Sequence, residues 1–396
     1  MNGKKTAYPL SDLKVLDFSR VLAGPFAGRM LSDLGADVIK VEPPEGDVTR
    51  FWGKEIANVQ GYYHQQNIGK RNICIDLRAK GSSDLIKRLV QVADIVIENY
   101  RPEVMSRLGL GYQNLNETNP AIIMLSISGF GRDGPESHRP AYAPVIHAEA
   151  GLIHRNWTRN GGTLHDLPIS LADTNAALHG LVATLAAIHM RNKTGSGQHI
   201  DIAMIDATAA TDDQLQYDLE DSFVTAPLPN EVWETGFGHV LISSDFRLFF
   251  RLLVDHSGLT DPSTSGMELE EKISSRRKAV GDLLRTITEK KEFVSIMTEI
   301  NVAWGEVRDP KTLAKQKTIV HRNAIIDTDD RNGGMRPTTQ SPYRFSNAKS
   351  GVGEKTSHRG EDYETVLNEW LGLNSDEVTE LFDQKIVLHD PDWIAK

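Results

Sequence analysis

The chain has 396 residues, with 44 Lys plus Arg against 54 Asp plus Glu, so its net charge is -10 with histidine neutral. Because 39% of the residues are hydrophobic and 25% are charged, the composition is that of a globular chain, and its length predicts about two domains. The acidic balance argues against nucleic acid or an anionic membrane as a general partner.

Targeting and metal signals are weak in this sequence. Met1–Ser11 has no apolar signal core, and no long apolar run predicts a membrane span, so we expect a cytoplasmic protein. The lone cysteine, Cys74, cannot form an internal disulfide, and we predict that it is a small buried hydrophobic residue. The spacing of His147 and His154 does not match the zinc motif H-E-x-x-H. We therefore predict no metal site and interpret both histidines as polar wall or surface residues.

The first 130 residues alternate between strand-like and helix-like patterns. In chain order these are a strand at 14–19, a helix at 26–35, strands at 37–42 and 71–77, a helix at 85–93, and strands at 94–100 and 121–129. Such alternation builds parallel crossovers with helices on the sheet faces, and ligands gather at the carboxyl ends of the strands. The pattern predicts an α/β fold with a Rossmann-like sheet.

One glycine motif, G-x-G-x-x-G, follows the strand at 121–129. Its glycines are Gly129, Gly131 and Gly134, but Pro135 and a polar run come next where a dinucleotide fingerprint needs a helix. The context therefore disfavours nicotinamide binding. It indicates a mobile loop beside the site or, equally, a plain surface turn.

Basic residues collect between Lys70 and Arg107, where Lys and Arg outnumber Asp and Glu by three. Arg78 and Arg101 come directly after predicted strands, where a sheet of this type presents its ligands, so they could clamp phosphate groups. Charge alone leaves a solvated surface as an equal alternative.

The clearest helix signal in the sequence predicts a helix from Thr174 to about Arg191, with Asp173 at its N-terminal boundary. An aspartate there can be an N-cap, which accepts hydrogen bonds from the first free amides. The same position also fixes a carboxylate in direction and keeps it ionised, which suits a nucleophile. The spacing leaves both interpretations open. Met204 follows in a predicted strand at 199–210, where a thioether is usually core packing.

Several segments together resemble the class III coenzyme A transferases, the CaiB/BaiF family. The resemblance is close over 12–210 and looser over 336–373, and it is carried by the runs at 17–47, 67–81, 93–112 and 171–207. It implies a Rossmann-like large domain with a smaller α/β domain inserted, in an interlocked homodimer. An acidic stretch with prolines indicates a linker near 220–230, so we predict 1–225 as the first part of the large CoA-binding domain, 231–327 as the small domain and 328–396 as the return to the large domain.

The resemblance also implies a chemistry, since the family's catalytic aspartate matches Asp173. That carboxylate attacks an acyl-CoA thioester to give a mixed anhydride, and the CoA thiolate then forms an aspartyl-CoA thioester that passes CoA to an incoming acid. CoA and acyl-CoA are thus substrates, and no tightly bound cofactor is expected.

Nine positions match residues with which the family contacts CoA. They are Val21 near the thioester, Ile75 and Arg78 near adenine and phosphate, Asn99, Tyr100, Arg107 and Leu108 along the cleft, Met204 near pantetheine, and Tyr142 beside the nucleophile. Leu22 and Ala143 stand where formyl-CoA transferases carry an amide and an acid. A formyl or oxalyl specificity is therefore not expected.

Two other functions remain open. The same fold hosts acyl-CoA racemases, in which His138 and Asp173 would exchange the proton next to the thioester from opposite sides. A CoA-binding protein without chemistry is the third reading, and the acid at position 173 speaks against it. The sequence does not identify the donor and acceptor acids.

Overall fold

The computed structural model describes residues 7–225 and 230–390. It divides into two compact units: a large unit that runs to Asp213 and resumes at His321, and a small unit, Gln214–Val320. Residues 226–229 of the expected linker lie outside the described residues, as do the first six and last six residues of the chain.

The secondary structure of the described residues alternates strands and helices through the first half of the chain. The strands are β1 (Lys14–Asp17), β2 (Asp37–Glu42), β3 (Glu55–Ile56), β4 (Val59–Gln60), β5 (Arg71–Ile75), β6 (Ile95–Glu98), β7 (Ile123–Ser128), β8 (His199–Ala203), β9 (Glu231–Thr235), β10 (Gly238–Ser243), β11 (Ala303–Glu306), β12 (Ile325–Asp329), β13 (Met335–Thr339) and β14 (Val387–Leu388). The helices are α1 (Ala23–Asp33), α2 (Gly61–Asn67), α3 (Ser82–Val92), α4 (Val104–Arg107), α5 (Tyr112–Thr118), α6 (Ala143–Glu149), α7 (Leu152–Asn160), α8 (Leu171–Thr194), α9 (Met204–Thr211), α10 (Leu215–Leu219), α11 (Phe246–Ser257), α12 (Leu269–Thr286), α13 (Lys290–Glu299), α14 (Lys317–His321), α15 (Tyr363–Leu371) and α16 (Ser375–Asp383).

The large unit is built on a sheet that, within the described residues, has seven strands in the order β14-β5-β2-β1-β6-β7-β8. Neighbours pair in parallel except β14, which lies antiparallel to β5. The predicted mixed α/β fold with a mainly parallel central sheet is therefore observed.

Buried apolar cores on both faces of this sheet explain its near-continuous Val and Ile content. One core gathers side chains of α3, α5 and α15 against the sheet, and the other gathers side chains of α1, α6 and α8. The loops at the carboxyl ends of the strands remain free to form a site.

Helix α8 begins three residues earlier than predicted and ends at Thr194, and it is followed by Gly195, whose φ of 75° is the left-handed conformation that glycine adopts easily. Asp173 is therefore in the first turn, and the interpretation of Asp173 as the N-cap is wrong, since Ser170 occupies that position. By length and apolarity α8 could cross a membrane, a test that a soluble protein's core helix also passes. Its buried residues, which include Ala176 and Leu181, belong to the core around α1 and β7.

The small unit has its own core. Strands β9, β10 and β11 form an antiparallel sheet, and α11, α12 and α13 contribute Phe249, Leu284 and Phe293 to a separate apolar cluster. The boundary expected at 327 falls within β12, which pairs with β13 and belongs to the large unit.

Candidate active site

A cavity opens at the carboxyl ends of β1, β6 and β7. Its walls come from the loops that follow these strands, from the first turn of α8 and from the start of α9. Six of the predicted site residues line it, namely Val21, Asn99, Tyr100, Tyr142, Asp173 and Met204. These residues are far apart in sequence, and the parallel sheet brings them to one edge.

Asp173 lies in this cavity with its residue only 8% exposed. The backbone amides of Ala23 and Ala143, the first residues of α1 and α6, lie beside its carboxylate and favour the ionised form. Burial raises the pKa of Asp173 to about 6, although the two nearby backbone amides favour the ionised form. The carboxylate is thus fixed in direction, as expected, but desolvation leaves it more basic than an ordinary aspartate.

The loop between β1 and α1 carries backbone strain. Val21 has a φ of 69°, a left-handed conformation that is strongly disfavoured for a β-branched residue. The Asn99 side chain holds the preceding residue, accepting from the Arg20 amide at 2.8 Å and donating to the Arg20 carbonyl at 2.8 Å. The Val21 amide donates to Asp47 at 3.1 Å. This loop leads directly to Ala23, whose amide reaches Asp173.

Charged side chains below this loop are fully buried and paired. Lys40 donates to the carbonyl of Ser19 and lies 3.3 Å from Asp47, while Lys70 pairs with Asp17 at 2.8 Å. Buried charges are stable only when paired in this way. The network supports the loop without entering the cavity.

Gly24 is required for the close packing of the same loop. A Cβ at this position would stand 2.1 Å from the Cβ of Ser19, inside van der Waals contact. Leu22, in the same loop, is buried and does not line the cavity.

The glycine-rich stretch after β7 is a loop that reaches α6 without opening a helix at its glycines, as the sequence indicated. Gly129, Arg139 and Tyr142 of this loop line the cavity. Arg132 ties it to the loop after β6, donating to Glu98 at 3.0 Å and to the Pro102 carbonyl at 2.6 Å. The hydrogen bonds of Arg132 therefore connect two walls of the cavity.

Three arginines line the cavity, Arg20, Arg101 and Arg139. Arg139 is paired with Glu136 and Glu149. Arg20 and Arg101 are exposed and form no ion pair within residues 7–225 and 230–390. Sequence reasoning singled out Arg101 as a possible phosphate clamp but gave no weight to Arg20 or Arg139.

Four predicted CoA contacts lie outside the cavity walls. Ile75 is fully buried and pairs with Val387 of β14, so its side chain packs in the core. Arg78 is exposed and paired with Asp76 and Glu45. Arg107 is exposed at the end of α4, and Leu108 packs partly against the core. Their contact with CoA stays a prediction.

The histidine of the racemase alternative does not join the site. His138 is exposed on the 129–142 loop, and its neighbours Ser137 and Arg139 line the cavity instead. His147, interpreted as a polar wall or surface residue, is instead fully buried beside the first turn of α8, where its Nε2 accepts from the Ala172 amide at 3.2 Å. Nothing in the local sequence pattern revealed this contact.

Comparison with known proteins agrees with the geometry of this site. The model of CoA-transferase family III matches residues 10–363. The chain belongs to this family. The resemblance to the CaiB/BaiF proteins is thus confirmed. This protein is a CoA-transferase.

Relatives of this CoA-transferase match over nearly their full length. A succinate–glutarate CoA-transferase of Agrobacterium fabrum is 29% identical, over 90% of this chain and 96% of the relative. A succinyl-CoA:glutarate CoA-transferase of Homo sapiens is 27% identical, over 96% of this chain and 90% of the relative. A crystal structure of a CaiB/BaiF family protein from Brucella suis matches with a TM-score of 0.78 at 28% identity, over 92% of this chain and 100% of that one.

Proposed function

We propose that this CoA-transferase moves CoA from an acyl-CoA thioester to a carboxylic acid through a covalent intermediate on Asp173. The observation that carries the proposal is the buried carboxylate in the cavity, with the amides of Ala23 and Ala143 beside it. A pKa of about 6 leaves this carboxylate mostly ionised at pH 7, while its desolvation strengthens it as a nucleophile.

The bond changes balance without an added reagent. A carboxylate oxygen of Asp173 attacks the thioester carbon, and the carbon–sulfur bond breaks to release CoA thiolate and leave a mixed anhydride. The thiolate attacks the aspartyl carbonyl carbon, which forms aspartyl-CoA and frees the donor acid. The acceptor carboxylate then attacks aspartyl-CoA, and the released thiolate takes the acceptor's acyl group from the second anhydride. Asp173 is regenerated.

We propose short dicarboxylic acids as the substrate class. The relatives from Agrobacterium fabrum and Homo sapiens are named for succinate or succinyl-CoA and for glutarate. Arg20 and Arg101 at the cavity supply exposed cations for a second carboxylate or for CoA phosphates. CoA binds here as a substrate.

The test is to incubate the protein with succinyl-CoA and then add borohydride or hydroxylamine. Mass spectrometry is expected to find the reduced or hydroxamate form of residue 173 in the wild type and neither form in Asp173→Asn. Transfer to glutarate, followed by chromatography, is expected to disappear in the same variant. Retained turnover in Asp173→Asn would refute the mechanism. Exchange of the α-proton with heavy water without any acceptor acid would favour the racemase.

We also propose that the enzyme is an interlocked homodimer, as the resemblance implies. Leu178, Val182 and Leu185 are spaced along one face of α8 and are 45%, 65% and 37% exposed. Apolar residues exposed together on a helix face are typical of an interface.

A further inference from the structure

The N-terminus of α8 is not capped by its own residues. Ser170 occupies the N-cap position, but its side chain makes no capping hydrogen bond. The first amides of a helix have no partner inside the helix, so a buried helix start needs an acceptor from elsewhere. For Ala172 that acceptor is Nε2 of His147, at 3.2 Å, on a residue with 0% exposure.

Asp166 fixes the tautomer of His147. Its Oδ1 lies 2.7 Å from Nδ1 of the imidazole. A carboxylate only accepts hydrogen bonds, so Nδ1 carries a proton and donates it. Nε2 accepts from an amide, which requires its lone pair, so the ring is neutral and has a single orientation.

Helices α6 and α8 are therefore joined at two adjacent points. The amide of Ala143, at the start of α6, lies beside the carboxylate of Asp173 and favours its ionised form. His147, one helical turn further along α6, accepts from Ala172, the residue immediately before Asp173. The two contacts run in opposite directions between the same two helix turns. A shift of the first turn of α8 would break both.

We propose that His147, oriented by Asp166, is a positioning residue that holds the first turn of α8 so that Asp173 meets the thioester carbon. This inference rests on the proposed function, because it assigns to His147 a part in the formation of the aspartyl intermediate. Among the described residues, the hydrogen-bond partners of His147 are Ala172 and Asp166, and neither of them lines the cavity.

The experiment compares His147→Leu with His147→Gln. The leucine variant loses the acceptor, and we expect kcat for transfer from succinyl-CoA to glutarate to fall about 100-fold, because a displacement of about 1 Å at a reacting group costs that much. KM for succinyl-CoA should change less than about 3-fold, because the other walls of the cavity are intact. Glutamine has an amide oxygen that can accept from Ala172, so it should restore kcat to within about 10-fold of the wild type.

His154→Leu is the matched control. His154 is exposed on α7 and contacts the ring of Trp157. It should leave kcat unchanged. Should His147→Leu fail to fold, Asp166→Leu carries the same test, since it leaves the ring in place but frees its tautomer, and Asp166→Asn retains an acceptor for Nδ1–H.

The outcomes separate this inference from the proposed function. Wild-type protein that neither transfers CoA nor forms a trapped adduct at Asp173 refutes the proposed function. Wild-type protein that does both, with a leucine variant of His147 or Asp166 that folds and keeps its kcat, refutes the positioning role alone. Equal losses in the leucine and glutamine variants of His147 would also refute it.

Discussion

Asp173 carries a charge where burial disfavours one. Its pKa of about 6 in the folded chain lies above the ordinary value of 3.8. As the pH rises, the unfolded chain releases this proton first, so folding is progressively disfavoured between about pH 4 and pH 6, and the full cost is present above that range. The difference corresponds to about 3 kcal/mol. A nucleophile maintained at this cost is a typical conflict between stability and function.

Asp173→Asn should therefore stabilise the protein while it abolishes transfer. We expect the free energy of unfolding at pH 7 to rise by about 1–3 kcal/mol, because asparagine keeps the volume and removes the charge. The gain should vanish below about pH 4, where the wild-type carboxyl is protonated in both states. Urea denaturation at pH 7 and pH 4 measures both values.

Asp12→Asn is the control for this stability measurement, since it removes the same charge from an exposed position of the same unit. It should change the free energy of unfolding by less than about 0.5 kcal/mol. A loss of stability in Asp173→Asn at pH 7 would show that the favourable interaction of the carboxylate with the nearby amides outweighs its desolvation.

The residues of the site differ in how far the sequence alone could predict their roles. Asp173 could be selected as a candidate because it lies near the start of a predicted helix, but that signal left an N-cap and a nucleophile open, and the resemblance alone implied the nucleophile. His147 was not, because its role depends on Ala172 and Asp166, which reach it through the fold. The pKa of Asp173 also depends on burial, which the helix signal does not report.

The loop between β1 and α1 stores strain at the site. Val21 adopts φ of 69°, and a non-glycine residue in this region costs about 1–2 kcal/mol. Asn99 binds the backbone of Arg20 and Asp47 accepts from the Val21 amide, so both hold the backbone just before the strained position. The held conformation directs the Ala23 amide toward Asp173, so the strain serves the geometry of the nucleophile.

Val21→Gly should affect the free energy of unfolding and kcat differently. Glycine relieves the strain but enlarges the unfolded ensemble, so the free energy of unfolding should stay within about 1 kcal/mol of the wild type or rise. We expect kcat for transfer to fall about 10-fold, because the Ala23 amide is less firmly held. Urea denaturation and steady-state kinetics measure the two effects.

Val92→Gly is the control for this substitution at a position without backbone strain. Val92 is 38% exposed at the end of α3, and it is not among the residues with positive φ. Glycine there should lower the free energy of unfolding by about 0.5–1 kcal/mol and leave kcat unchanged. If Val21→Gly destabilised the chain more than Val92→Gly does, the conformation at Val21 would not be a source of strain.

Elements with a local period were predictable, and long-range pairings were not. The strand predicted at 37–42 coincides with β2, and the pattern at 94–100 contains β6. The strand predicted through Met204 ends instead at Ala203, and Met204 begins α9. The pairing of β14 with β5 joins residues about 310 positions apart, which no short-range pattern encodes.

The whole molecule leaves an apolar face of α8 exposed. Val182 on this face is 65% exposed, and α8 itself is a core helix of the large unit. An interlocked dimer would cover such a face, and it could not separate into folded monomers without opening one of its chains. Interlocking therefore predicts a mass that does not depend on concentration.

Light scattering of the purified protein should give twice the chain mass of 44.0 kDa, unchanged on dilution. Val182→Glu should lower the melting temperature by about 5 °C or more, because it buries an unpaired charge in the dimer. Leu269→Glu, at an exposed helix position of the small unit, is the matched control and should leave it nearly unchanged. A wild-type mass of one chain, or equal melting temperatures for the two variants, would exclude α8 from a permanent interface, and the site would then have to work within a single chain.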